Sequence, residues 1–178
     1  MRKPKLYIFV GYPGAGKTTT ALIIKEMTNA RHIWVDLERK ARFGGQDFTP
    51  NDTEELYREL DVEIETYLQR GEDVIFDTNI NMFKDRQFLK DLAERNNAET
   101  VLIWLTTDKE ISRKRAYMDF VADNLRVLGA MNDQTFDKIA NRLQKPSKSE
   151  NPIKVDGAKT SRGELVRLLG LGTSQSTF

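Results

Sequence analysis

Leu6-Tyr7-Ile8-Phe9-Val10-Gly11-Tyr12-Pro13-Gly14-Ala15-Gly16-Lys17-Thr18 is the most informative run in the chain. Its first five residues are apolar without alternation, which describes a strand buried on both faces, as in a parallel sheet covered by helices. The strand runs directly into Gly11–Thr18, a full match to G-x-x-x-x-G-K-[ST]. Glycines at this spacing let the backbone curl until successive N–H groups point inward at phosphate oxygens. A helix opening beyond them adds its positive N-terminal end. Lys17 is placed to reach the outer phosphates, and Thr18 to offer its hydroxyl to Mg²⁺. A glycine-rich turn that binds nothing leaves Lys and Thr together at that spacing unexplained. The predicted nucleotide contacts are therefore Gly11, Pro13, Gly14, Ala15, Gly16, Lys17, Thr18 and Thr19, with ATP and Mg²⁺ as cofactors and Lys17 also catalytic.

Outward from this turn, short apolar blocks alternate with helical patterns. Ile33–Val35 closes on Asp36, Val74–Phe76 on Asp77 and Val101–Leu105 on Thr106, while Ile153–Val155 is a weaker fifth block. Thr18 to about Thr28 carries Leu22, Ile23 and Met27 at helical spacing. Asp52–Arg70 carries Leu56, Leu60, Ile64 and Leu68, with Asp52 and Glu55 as the expected capping box and Gly71 as the stop. Asn81–Asn96 is expected to turn Phe83, Phe88, Leu89 and Leu92 inward. Residues 108–128 are expected to form one long helix or two broken ones, with Ile111, Met118, Val121, Leu125 and Leu128 on one side. Phe136, Ile139, Ala140 and Leu143 mark another helix, and Ser161 with Glu164 caps the last. This alternation predicts an α/β three-layer sandwich. The polar stretch Gln144–Pro152 reads as a surface loop. Residues 1–170 are thus expected to be one domain, with a lid at about 108–130 and a disordered tail at 171–178.

Composition excludes several classes. The 178 residues hold 28 Lys plus Arg against 27 Asp plus Glu, a balance that argues against a nucleic-acid coat protein and an acidic tail protein. Without Cys there are no disulfides or thiolate metal sites, and a single histidine, His32, leaves no His-pair metal centre and no obvious Ser-His-Asp machinery. The apolar blocks are too short to span a membrane or form a signal peptide, so a cytoplasmic protein with no membrane partner is expected. His32 is expected to be a core or edge residue without a catalytic role, and Trp34 and Trp104 to be packing groups.

Chain length returns two acids to the phosphate edge. A helix of about twelve residues after Lys17 travels about 18 Å away, and the extended stretch Arg31–Asp36 climbs back by about 20 Å. Asp36 is thereby placed at the carboxyl edge where open α/β sheets bind ligands, and the same count over residues 52–77 returns Asp77. One acid beside Mg²⁺–ATP orients the metal shell, and another accepts a proton from an acceptor hydroxyl. Asp36 begins a charged, glycine-ended stretch to Gly45, expected to be an acceptor-binding loop in which Arg39 or Arg42 grips an anionic group. Capping of a following turn is the structural alternative for Asp36. Asp77-Thr78-Asn79 closes a buried strand in the Walker-B manner, with Asp77 as metal-shell acid and Asp77 and Asn79 as substrate contacts; a helix N-cap is the rival role for Asp77. Arg113-Lys114-Arg115 opens the helix after the fourth strand, and Arg126 follows. A mobile basic helix closing over ATP neutralises charge that develops in transfer. Arg115 is the expected catalytic cation, against a plain solvated face.

Together, Gly11–Thr18, Asp36 with Arg39, the segment Val74–Asn79 and the basic helix near Arg115 resemble the small P-loop kinases. The closest group holds the polynucleotide 5′-hydroxyl kinases, zeta-toxin-like kinases and chloramphenicol phosphotransferases, and the resemblance spans about residues 5–170. It implies a five-stranded parallel core with a helical lid. It also implies Asp36 as the base that activates an acceptor hydroxyl, Arg39 as an acceptor contact, Arg115 as a lid arginine, and Arg142 and Pro146 beside adenine. Met118 and Asp119 stand where the group often has a second lid arginine, and Leu37 where polynucleotide kinases tend to show a second Asp. The expected function is ATP-dependent transfer of the γ-phosphoryl group to a hydroxyl of a small molecule or a nucleic-acid 5′ end, nucleic acid being a partner only as such an end. A nucleotide-binding ATPase or switch protein without an acceptor is the alternative.

Overall fold

A computed structural model describes residues 2–44, 49–117 and 130–171 of the chain. The first apolar block is β1 (Lys5–Val10), and the glycine turn opens α1 (Lys17–Thr28). Then follow β2 (Arg31–Trp34), α2 (Val35–Phe43), α3 (Pro50–Gln69), β3 (Val74–Asp77), α4 (Phe83–Arg95) and β4 (Glu99–Leu105). The described part closes with α5 (Lys109–Tyr117), α6 (Asp133–Ala140), β5 (Ile153–Val155) and α7 (Arg162–Leu169). All five strands are parallel, in the order β2-β3-β1-β4-β5. On one face Leu6, Ile8 and Val10 pack with Leu56, Leu60 and Ile64 of α3 and Leu89 and Leu92 of α4. On the other, Tyr7, Phe9, Ile75 and Ile103 pack with Ala21 and Ile24 of α1 and Leu165 and Leu169 of α7. Covering both faces is what lets unbroken apolar strands avoid water. The three-layer parallel α/β sandwich expected from the sequence is the fold.

Several element boundaries differ, each for a local reason. The charged stretch after β2 is a helix rather than a loop: Val35 opens α2, with Asp36 and Glu38 in its first turn, Lys40 and Arg42 in its last, and Gly44 as a left-handed C-cap. That charge order complements the helix dipole. α3 starts at Pro50, and its capping box joins Thr49 to Asp52 rather than Asp52 to Glu55. The inward face of α4 consists of Arg86, Leu89, Leu92 and Ala93, which leaves Phe83 and Phe88 exposed rather than buried. Their rings lie instead beneath the guanidinium groups of Arg86 and Arg95. Ile111 of α5 is also exposed. The expected continuation of that helix through Met118, Val121, Leu125 and Leu128, most of the lid, and the tail from 172 lie outside the described residues.

Candidate active site

β1 delivers Gly11 to the carboxyl edge between β3 and β4, the point from which the chain winds outward in both directions and where such sheets bind ligands. Residues 14–16 are held from two sides. Gly14 has φ 79, and a Cβ on it would lie 2.2 Å from the Ser112 carbonyl oxygen of α5. After β5, a Cβ on Gly157 would meet the Ala15 carbonyl oxygen at 1.9 Å, so both approaches require glycine. Thr107 Oγ1 donates to that same Ala15 carbonyl at 2.8 Å, and the Gly11 N–H donates to Asn81 Oδ1 at 3.0 Å. The buried Lys17 bends back over the turn, its Nζ donating to the carbonyls of Gly11 at 3.0 Å and Tyr12 at 2.7 Å. Pro13 is buried in the turn, while Thr19 is exposed in the first turn of α1.

The Thr18 hydroxyl donates to Asp77 Oδ1 at 3.3 Å. The other carboxylate oxygen of Asp77 lies 3.2 Å from His32 Nε2, and both side chains are almost closed to solvent. A hydroxyl and a carboxylate are the hard oxygen donors that suit Mg²⁺, which takes its remaining ligands from phosphates and water. Asp77 does not cap α4, whose N-cap is Met82 without a side-chain bond. Thr78 is buried beside Asp77, whereas Asn79 is exposed.

A second polar group lies across β3. Arg39 donates to Asp36 Oδ1 and to the Tyr57 hydroxyl, both at 3.3 Å, with its guanidinium 5.6 Å from the Tyr57 ring centre. The Tyr57 hydroxyl is in turn 2.9 Å from Thr78 Oγ1. Asp36, Arg39, Tyr57 and Thr78 therefore form a chain that reaches the residue next to Asp77. The Asp36 side chain is 50% exposed and that of Arg39 17%, so the acid is open to a ligand and the cation is partly sheltered. Arg42 pairs with Glu59 instead.

On the opposite side, Arg115 donates to the Gly157 carbonyl at 3.1 Å, beside the phosphate turn. Its neighbour Arg113 is committed elsewhere, to Asp137 at 2.6 Å and Asp133 at 2.8 Å, over the Phe136 ring. The bond to Asp137, followed by those to Tyr117 and Asp133, raises the Arg113 pKa, and Tyr117 and Arg113 hold the Asp133 carboxyl below its usual value. Arg142 is exposed two residues beyond α6. Pro146 is buried in a groove with Trp104, near Lys148 and Lys154. Arg126 and Gly45 lie outside the described residues.

Residues 6–117, the span that builds the phosphate turn, both acids and Arg115, match a family model described as an AAA domain. The chain belongs to the AAA domain family. No curated protein matches the sequence. Among solved structures this AAA domain chain is similar to a candidate kinase from Chloroflexus aurantiacus, with 17% identity, 95% of this chain and 98% of that chain covered, and a TM-score of 0.71. It is also similar to a sugar kinase from a Janibacter species, with 16% identity, 99% and 100% coverage, and a TM-score of 0.68. The APS kinase of Mycobacterium tuberculosis in complex with AMPPNP and APS follows at 14% identity, 96% and 99% coverage, and a TM-score of 0.63. At such identities these likenesses establish the fold, and it is that of the P-loop kinases.

The AAA domain's site also includes residues to which the sequence assigns no role in it. Asn81 and Thr107 brace the phosphate turn, Gly157 abuts it, Tyr57 joins Arg39 to Thr78, and His32 touches Asp77. Only His32 carried a usable signal: counting back from Asp36 along the strand puts it on the same face as Trp34, close to the returning Asp77.

Proposed function

We propose that this AAA domain protein is an ATP-dependent phosphotransferase that moves the γ-phosphoryl group to a hydroxyl of a small molecule or of a nucleic-acid 5′ end. The observation that supports it most is the second polar chain, Asp36–Arg39–Tyr57–Thr78, joined through β3 to the acid beside the phosphate turn. A protein that only bound or hydrolysed a nucleotide has no need of an open acid paired with a partly sheltered arginine there, whereas an acceptor does. Absence of Cys suits a reducing cytoplasm, and among the described residues no helix is long and apolar enough to cross a membrane.

In this mechanism the amides of residues 11–18 hold the phosphates, and Lys17 turns from its carbonyl partners to the β- and γ-oxygens. Thr18 and Asp77 would hold Mg²⁺, which, when bound, neutralises charge on the phosphate oxygens. Asp36 accepts the proton of the acceptor hydroxyl as it attacks, and Arg39, with Asn79 at the rim, holds the acceptor in line. Arg115, at the β5 side of the turn, stabilises the nucleotide as charge shifts during transfer. Thr19 and Arg142 are the remaining nucleotide contacts in this assignment. The test is a labelled-ATP screen of 5′-hydroxyl oligonucleotides, nucleosides and amino sugars. Label on one acceptor, lost in Lys17→Ala, is the expected result. ATP hydrolysis stimulated only by a protein partner, with no labelled acceptor, would instead establish a nucleotide switch.

A further inference from the structure

His32 is the single histidine of the chain and has no part in the chemistry above, yet it is wired to the acid that has. It lies on the edge strand β2. Pairing of Trp34 with Asp77 and of His32 with Ile75 makes it the diagonal neighbour of Asp77 on the face of the sheet covered by α1. Its Nε2 lies 3.2 Å from Asp77 Oδ2, with the two side chains only 4% and 3% exposed. Trp34, two residues on and on the same face, stacks on the imidazole with ring centres 5.8 Å apart and planes within 10°. Stacking fixes the plane of the imidazole and therefore the direction of Nε2. The Asp77 carboxylate, by contrast, has a broad χ2 of its own, and its contact with Thr18 at 3.3 Å is long.

We propose that His32 is a positioning residue for the metal-shell acid. It donates its Nε2–H to Asp77 Oδ2 and so stops the carboxylate from rotating, which keeps Oδ1 facing Thr18 Oγ1 where Mg²⁺ would be held. The inference rests on the assignment of Asp77 made above. Hydrogen-bonded partners behind a metal ligand commonly change metal affinity or activity by about 10–100-fold when removed. A histidine that merely fills space predicts a different pattern, because Phe would keep the volume and the stack on Trp34, and Gln would restore only the donor.

The experiment measures the Mg²⁺ dependence of AMPPNP binding by calorimetry, and of ATP turnover, in the full chain and in His32→Phe, His32→Gln, Asp77→Asn and Lys17→Ala. His32→Phe is expected to raise the Mg²⁺ concentration for half-maximal binding and turnover by about 10-fold or more. His32→Gln is expected to return within about three-fold of wild type on the same grounds. A wild-type Mg²⁺ response in His32→Phe, or equal impairment of Gln and Phe, overturns the proposal. If Asp77→Asn itself responds like wild type while Lys17→Ala loses AMPPNP, the metal assignment of Asp77 has failed. Impairment in Asp77→Asn but not in His32→Phe refutes the role of His32 alone. Should His32→Phe not fold, nitrogen-15 NMR of the one imidazole in the wild-type chain decides. A proton on Nε2, with a resonance that moves when Mg²⁺ and AMPPNP are added, is expected. A bare Nε2, or an imidazole indifferent to Mg²⁺–AMPPNP, overturns the proposal.

Discussion

Gly14, Asp36 and Tyr7 carry distinct consequences for single side chains. Gly14→Ala would place a methyl against the Ser112 carbonyl at a positive φ, so it is expected to destabilise the fold by about 2 kcal/mol or more. Calorimetry is also expected to show loss of ATP binding, since the loop amides can no longer keep their curl. Asp36→Asn leaves the phosphate turn untouched: ATP binding is expected to persist while acceptor phosphorylation falls by about 10²–10⁴-fold. Unchanged transfer would reduce Asp36 to a partner of Arg39. Tyr7 is wholly buried in β1, and its hydroxyl has no hydrogen-bond partner among the described residues. Burial, reinforced by the Asp73 charge, pushes its pKa up to about 12. Tyr7→Phe removes that orphan group and is expected to stabilise the chain by about 1 kcal/mol, read by denaturant unfolding. At this scale the phosphate cradle was legible because its chemistry is contiguous. Asn81 was hidden because its partner, Gly11, is 70 positions away, and no spacing rule connects the two.

Among the elements, α4 shows how a helix with a charged inward residue can support the site. Arg86 is buried and pairs with the nearly buried Glu150 at 2.5 Å, while also donating to the Asn81 carbonyl at 3.0 Å. Asn81 in turn receives the Gly11 N–H. Burial alone would raise the Glu150 pKa, but the bonds from Arg86 and the Ser147 N–H lower it overall. Its stabilising effect is therefore present above the unfolded-state carboxyl pKa and is lost as pH falls through the lowered folded value. Glu150→Gln leaves a buried guanidinium without its countercharge and is expected to cost about 3 kcal/mol. Nucleotide affinity should fall with it, because Asn81 loses its anchor; calorimetry and thermal unfolding check both. The helix periods of α1, α3 and α7 were readable from their apolar spacing. α2 was not, because only Val35 of its nine residues is buried, so no apolar stripe marked it and its charge order was the better clue. α4 misled for the opposite reason: its two phenylalanines suggested an inward face that Arg86 occupies.

For the molecule as a whole, the layering followed from short apolar runs separated by helical periods, and the carboxyl-edge convergence followed from chain length, whereas the strand order β2-β3-β1-β4-β5 was not read from the sequence. What remained illegible was the second polar chain, because Tyr57 reaches Arg39 and Thr78 only after α3 has packed across β3. Global stability also has a pH term, seated on α3 one turn beyond Tyr57. Asp61, half-buried on α3, has its pKa raised to about 6 by desolvation, with Arg95 opposing and Glu65 adding. The fold therefore favours its protonated form, and stability declines as pH rises from about 4 to about 6 before levelling off. Asp61→Asn is expected to stabilise the chain by about 1 kcal/mol at pH 7, after allowance for its partial exposure, and by nothing below about pH 4. Thermal melts at both pH values check this.

The seat of Gly157 against Ala15 has a bearing on biosynthesis. Ribosomes make the anion nest directly after the first strand and the glycine that buttresses it only after the fifth. A nascent polypeptide halted before residue 157 would display the whole glycine-lysine signature while lacking a wall of the nest. The nest is then walled on both sides only once the fifth strand has been made, and chains halted before it are expected to bind triphosphate more weakly than chains that include it.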